Sequence, residues 1–172
     1  MHPAVPLVIH TLTAASVGLS AGLLFAYSVS VNPGLAATAD DVYLSAMQAI
    51  NKAIQNPAFF TVYFSPLILL PLSCRLSYKA APTAGFTLIA IAGLLYVAGV
   101  IGVTAAANVP LNNLLDAVQV KGATAGELRR QRLLFEGPWN RWHALRTVAA
   151  SLSFVLLLVS LLKYPAARVA VG

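Results

Sequence analysis

The sequence predicts an all-α fold: an integral membrane four-helix bundle with short amphipathic helices in the two long loops on one face. Three observations lead there. The 172 residues are 59% hydrophobic and only 9% charged, whereas an ordinary soluble domain carries about 25% charged residues. Uncharged apolar runs long enough to cross a bilayer recur along the chain. Between them, the polar residues collect in two segments that an even number of spans puts on the same side. Residues 1–172 therefore read as a single membrane domain.

The first run, residues 5–31, would reach roughly 40 Å as a helix, more than the ~30 Å of a hydrocarbon core. No Lys or Arg precedes it, and it far exceeds a signal-peptide core of about 7–15 residues. It is therefore expected to stay as a span. The second, 58–74, contains Pro66 and Pro71 and is expected to kink. The third covers 82–107. The fourth is uncharged only over 147–162, but Pro138 is a favoured first-turn residue, so this span is expected over 138–162.

Small residues repeat every fourth position within the spans. Ala14, Gly18, Gly22 and Ala26 form one stripe; Ala98, Gly102 and Ala106 form another. In lipid such stripes let backbones approach closely. They are expected to pack the bundle, with a homo-oligomer seam as the alternative. The formal charge of +6 does not indicate nucleic acid, because the basic residues flank apolar runs, where they set membrane orientation. Arg75, Lys79, Lys163 and Arg168 share the side of the 75–82 loop. Seven other basic residues and all five acids share the opposite side, so orientation stays open. Cys74, the only cysteine, rules out an internal disulfide and is expected to be a small apolar residue at a helix end.

The two long segments, 32–57 and 108–137, define a loop face. Asn32-Pro33-Gly34 is a turn signal. Asp40-Asp41 starts a helix over 42–55, apolar at Val42, Met47, Ile50 and Ile54, which lies on the bundle or the membrane surface. Pro110 is expected to disturb the end of the third helix. Residues 127–136 read as helix, with Arg129, Arg130 and Arg132 in water or at lipid head groups.

Trp139, Trp142, His143 and Arg146 stand at i, i+3, i+4 and i+7, one stripe of a helix. An aromatic belt with a snorkelling arginine at the helix entrance accounts for Trp139 and Arg141. It explains His143 and Arg146 less well, because they continue into the span, where ionisable groups face a cavity or a partner. Ser28, Asn32, Asn51, Asn108 and Asn112 fall at the same level. Together these residues either pair as structural glue or line a mostly apolar pocket for a small molecule. If His143 and Arg146 border a cavity, function is favoured. If Glu136, Asp116 or carbonyls occupy them fully, structure is favoured. No metal is expected: His2 and His10 belong to the other membrane face, roughly 30 Å from His143.

The elements Tyr27-Ser28-Val29-Ser30-Val31-Asn32-Pro33-Gly34-Leu35, Met47-Gln48-Ala49-Ile50-Asn51, Asn56-Pro57-Ala58-Phe59, Asn108-Val109-Pro110-Leu111-Asn112 and Trp139–Arg146 resemble the anthrone-oxygenase-like family of small four-helix membrane proteins. The resemblance implies oxidation of anthrones or other polycyclic phenols to quinones without a metal or organic cofactor. It also implies a multi-pass location, taken here as a bacterial plasma membrane. In that reading His143 takes the acidic proton of the substrate. Arg146, Asn108 or Asn112 stabilises the oxyanion, and Trp139 and Trp142 stack on the rings. The competing reading is a non-enzymatic module that binds a lipid or quinone, or serves as a partner subunit. A transporter fits poorly, with so few spans.

Overall fold

Lipid offers the backbone no hydrogen-bond partners, so long apolar runs satisfy themselves as helices. A computed structural model describes residues 4–80 and 84–162 and contains five helices, with no strand among the described residues. We number them α1 (4–36), α2 (Asp40–Ala53), α3 (Pro57–Ala80), α4 (84–116) and α5 (Ala125–Leu162). All but α2 are long and apolar enough to cross a membrane, and the chain is a multi-pass membrane protein. His2, the expected span start at Pro82, Lys163 and Arg168 lie outside the described residues.

Every span is longer than its apolar run. The membrane candidates have 32, 22, 32 and 38 residues, and 32 residues make about 48 Å of helix. The surplus stands beyond the ~30 Å core and, with α2, builds a cap on the loop face. The bundle and the cap have separate cores. Ala14, Val17, Leu70, Ala92, Tyr96, Val100, Ala150 and Leu157 fill the bundle, and Cys74 packs against its edge, half-buried. Tyr43, Leu44, Met47, Leu115, Leu128, Phe135 and Trp139 fill the cap.

Asn32-Pro33-Gly34 is helical, not a turn; the chain turns only after Ala36. Pro110 likewise sits in the first turn of a continuing helix, Val109–Asp116. The physical reason is common to both. Each proline follows a π-helical stretch, Tyr27–Val31 and Thr104–Asn108. The proline ring clashes with the carbonyl four residues back in an α-turn, and a widened turn moves that carbonyl away. A further π stretch spans Leu95–Gly102.

The π turns also relocate the packing face of α4. Ala92, Tyr96, Val100 and Asn108 are all buried, a spacing of fours that an ordinary α-helix would rotate by about 40° per step. Ala98, Gly102 and Ala106 are therefore exposed; the close approach on this helix is Gly99 against Ala149 of α5. On α1 only half of the expected stripe packs: Ala14 is buried and Gly18 meets Phe154, whereas Gly22 meets nothing and Ala26 is exposed.

The expected 127–136 and 138–162 helices form one helix, with Pro138 inside it. A proline removes one backbone bond. Here Phe135 and Trp139, buried on either side of it, hold the two halves in line by packing. At the short-loop side, Arg75 to Ala80 also remain in α3. In α2 the buried face is Tyr43, Leu44 and Met47, while Val42 is exposed. Gln48 Nε2 donates to the Leu115 and Val118 carbonyls at 2.8 and 2.9 Å, satisfying orphan acceptors at the end of α4.

Arg132 is not a free surface cation like the exposed Arg129 and Arg130. Its guanidinium donates to the carbonyls of Ala36 and Thr38, both at 2.8 Å, and to Asp40 and Glu136 at 3.0 and 2.7 Å. It also lies 4.5 Å from the Tyr43 ring centre. The cation thus closes the carbonyl end of α1, where the helix dipole favours positive charge. Burial pushes the Tyr43 phenol well above its ordinary pKa, and Glu136 adds to this.

At the opposite end His10 is fully buried, bonded to Ser73 at 2.6 Å and Ser160 at 2.7 Å. Ser160 donates its own proton to the Leu157 carbonyl, so the His10 Nε2–H donates to Ser160 and Ser73 donates to Nδ1. This arrangement ties α1, α3 and α5 together.

Candidate functional site

The bundle core and the cap do not meet everywhere. Between them lies a cavity of about 370 Å³, bordered by α1, α2, α3, α4 and α5. Asn51, Asn112, Trp139, His143 and Arg146, all expected site residues, line it. Most of the remaining wall is aromatic or aliphatic: Tyr27, Phe59, Phe60, Tyr63 and Phe64, with Leu23, Leu24, Ile50, Ile54 and Val109.

The α-helical repeat of α5 explains three of the four expected α5 positions. Trp139, His143 and Arg146 are buried at i, i+4 and i+7. Trp142 belongs to the flank of that stripe; it is 44% exposed and does not border the cavity. Trp139 and His143 stack with ring centres 4.8 Å apart and planes 8° apart, and Tyr27 leans on both. The indole N–H donates to Asn112 Oδ1 at 2.8 Å. Asn108 is fully buried behind this wall and donates to the Trp139 carbonyl at 3.3 Å. Ser28 lies behind it too, 3.1 Å from the Thr147 hydroxyl. Asn32 is half-buried and outside the lining. The structure thus collects five of the nine expected residues at the cavity and leaves Ser28, Asn32, Asn108 and Trp142 outside it.

Proton positions in the polar end follow from the acceptors. The Leu24 carbonyl, 3.0 Å from His143 Nε2, can only accept, so Nε2 carries the ring proton. His143 Nδ1 then accepts from Arg146 Nη2 at 3.0 Å. Both ring nitrogens are therefore engaged within the protein. Thr104 donates to the Val100 carbonyl at 2.7 Å. Its oxygen accepts from Arg146 Nη1 at 3.0 Å and from the Tyr63 hydroxyl at 2.5 Å.

Arg146 is 7% exposed and has no carboxylate partner among the described residues. The ion pairs among the described residues are Lys52–Asp116, Arg132–Asp40 and Arg132–Glu136, which occupies both acids that the sequence offered it. Arg146 receives neutral acceptors and, at 5.6 Å, the face of Trp139, while its Nε has no partner. A buried cation in this position is costly without an anion. The cavity also holds a second unpartnered donor, the Asn51 side-chain amide.

Sequence reasoning missed Tyr63, Thr104 and the phenylalanines of α3. Residues Phe59, Phe60, Tyr63 and Phe64 recur at one-, three- and four-residue steps, a signal of an aromatic helix face. That signal was readable at the start of the second span. Among the described residues no group of His, Cys, Asp and Glu side chains could hold a metal ion.

The fold and cavity define a class: a helical multi-pass membrane protein with an aromatic-walled chamber ending in an unpaired cation. Residues 59–156, more than half of the chain, match the family described as anthrone oxygenase, and the chain belongs to that family. The match contains Tyr63, Thr104, Asn112, Trp139, His143 and Arg146, and leaves α2 and the Tyr27–Leu35 element outside. No curated protein and no solved structure matches the chain.

Proposed function

We propose that this protein binds a flat polycyclic phenol in the loop-face cavity and oxidises it with dioxygen, without a cofactor. The observation that carries the proposal is the Arg146 guanidinium, buried without a carboxylate at the end of an aromatic chamber. An anthrone carries two hydrogens on the carbon opposite its carbonyl. Loss of one as a proton gives a phenolate, and in this reading Arg146 stabilises that oxyanion. The phenolate gives one electron to dioxygen, and the radical pair joins at the same carbon as a peroxide. Loss of the second hydrogen as a proton, with cleavage of the O–O bond, leaves a carbonyl and water. One anthrone and one dioxygen yield one anthraquinone and one water, and the substrate supplies all four electrons.

His143 is the proposed base through a hand-off. As the oxyanion forms, it draws Arg146 away from Nδ1, and the freed lone pair accepts the proton. The test is oxygen uptake by the detergent-purified protein supplied with anthrone. Arg146→Gln is expected to lower the rate by about 10²-fold, the scale of losing an oxyanion donor. His143→Gln keeps an acceptor for Arg146 but no proton-accepting nitrogen, so it should still bind substrate and lose turnover. Uptake by His143→Gln at the parental rate removes the base role. Uptake by the parent no faster than by empty micelles removes the oxygenase reading.

The engagement of both His143 nitrogens supports a second reading, a module that binds a quinone or lipid without proton transfer. It predicts saturable ligand binding with no oxygen uptake.

A further inference from the structure

We infer that the cavity is loaded from the lipid phase and takes an amphiphile with an anionic oxygen on a flat aromatic body. The inference rests on reading the cavity as a ligand site, but not on any reaction with oxygen. Leu23, Phe60, Phe64 and Val109 line the cavity, yet each is between 40 and 46% exposed. All four belong to helices long and apolar enough to cross a membrane, and Leu23, Phe60 and Phe64 fall within the uncharged apolar runs of those helices, which gives the cavity an apolar rim toward the acyl chains. Toward the short loop α3 and α4 are zipped together, Leu70 against Gly93 and Tyr78 edge-on to Phe86. Their packing thins toward the loop face, where the Tyr63–Thr104 hydrogen bond links them beside the cavity.

The side toward water is roofed. Ile50 and Asn51 of α2, with Ile54 and Gln55 just past its end, cover the cavity, and α2 is fastened to the end of α4 by Gln48 and by the 3.0 Å Lys52–Asp116 pair. A ligand that passes the apolar rim must be largely apolar. A ligand that stays must answer the guanidinium, since a buried cation is best matched by an opposite charge with hydrogen bonds. The aromatic walls select a flat body over a flexible chain.

Trp142→Phe leaves Trp139 as the only tryptophan of two, a reporter in the cavity wall. In phosphatidylcholine nanodiscs, anthracene-9-carboxylate should quench it saturably. The methyl ester, equally apolar but uncharged, should bind at least about tenfold more weakly, the scale of one charge-assisted contact. An anthracene disulfonate confined to water should not compete. Arg146→Gln should weaken the acid to the level of the ester. Asn51→Asp, at the roof, should weaken the acid more than the ester, which serves if the arginine variant does not fold. Equal binding of acid and ester overturns the anion; competition by the disulfonate overturns lipid-side entry; absence of saturable quenching overturns both. Acid binding without oxygen uptake leaves this inference standing and removes the reaction. Oxygen uptake with anthrone but no acid binding does the reverse.

Discussion

Gly99→Ala tests whether helix packing holds the polar end of the cavity. A Cβ on Gly99 would lie 2.6 Å from the Ala149 Cβ, whereas carbon atoms are at ease at about 3.5–4.0 Å. Ala149 has no torsion with which to retreat, so α4 and α5 must separate locally by about 1 Å. The same two helices carry the 3.0 Å bond from Arg146 to Thr104, three residues before Ala149 and five after Gly99. Separation lengthens that bond to about 4 Å, outside hydrogen-bond range. Overpacking costs about 1–3 kcal/mol, and the better helix propensity of Ala returns up to about 1 kcal/mol. The expected net loss is about 1–2 kcal/mol, read as a lower midpoint of unfolding in mixed detergent micelles. Binding of anthracene-9-carboxylate should weaken in the same variant. Ala149→Gly on that background removes the clash and should restore both readouts, a coupling of the kind seen between residues in contact. Gly22→Ala, where an added Cβ meets nothing within 4 Å, is the control. A Gly99→Ala protein as stable as the Gly22→Ala protein, or one that Ala149→Gly does not rescue, refutes the reasoning.

Four further outcomes follow from the contacts. Arg132→Met removes the cation that closes α1 and should lower stability by about 1–3 kcal/mol, with new proteolytic cleavage between Ala36 and Asp40. Tyr63→Phe deletes the hydroxyl that Thr104 accepts, should cost about 1 kcal/mol in a thermal melt, and should weaken binding of the anthracene acid. Trp139→Phe loses the indole bond to Asn112 and the stack on His143 and should destabilise by about 1–3 kcal/mol. Trp142→Phe, exposed beside it, should stay within about 0.5 kcal/mol of the parent in the same melt.

Apolar runs made the four crossings legible, because charge is excluded from lipid whatever the tertiary fold. The ends of those crossings were not legible. Asn32-Pro33-Gly34 and Pro110 read locally as breaks, and only the π turns before them, which no residue pattern announces, let the helices continue. The run 127–136 looked like a surface helix because its arginines are not apolar. It is the start of α5, and Arg132 is committed to acceptors 92 to 96 residues away. At the site, helical spacing placed Trp139, His143 and Arg146 on one wall. The inclusion of Trp142 shows the limit of that argument: i+3 and i+4 are both neighbours of i, and packing by α1 and α4 decides which one is inside. Asn108 and Ser28 were at the right level, but depth along a helix does not tell whether a polar side chain faces a cavity or a neighbouring carbonyl.

The π-helical turns of α4 bear on where this chain tolerates a change in length. From Ala92 to Asn108 an α-helix would make about 4.4 turns, yet both residues point inward, so the widened turns have absorbed surplus chain. Deleting one residue within 104–108 would let the helix tighten toward α and keep Asn112 on its present side. Deleting one within 140–142 of α5, which has no such slack, would swing His143 and Arg146 by about 100° relative to Trp139. Among family members, gains and losses of single residues should therefore gather in the upper half of α4 and be excluded from α5 between Trp139 and Arg146.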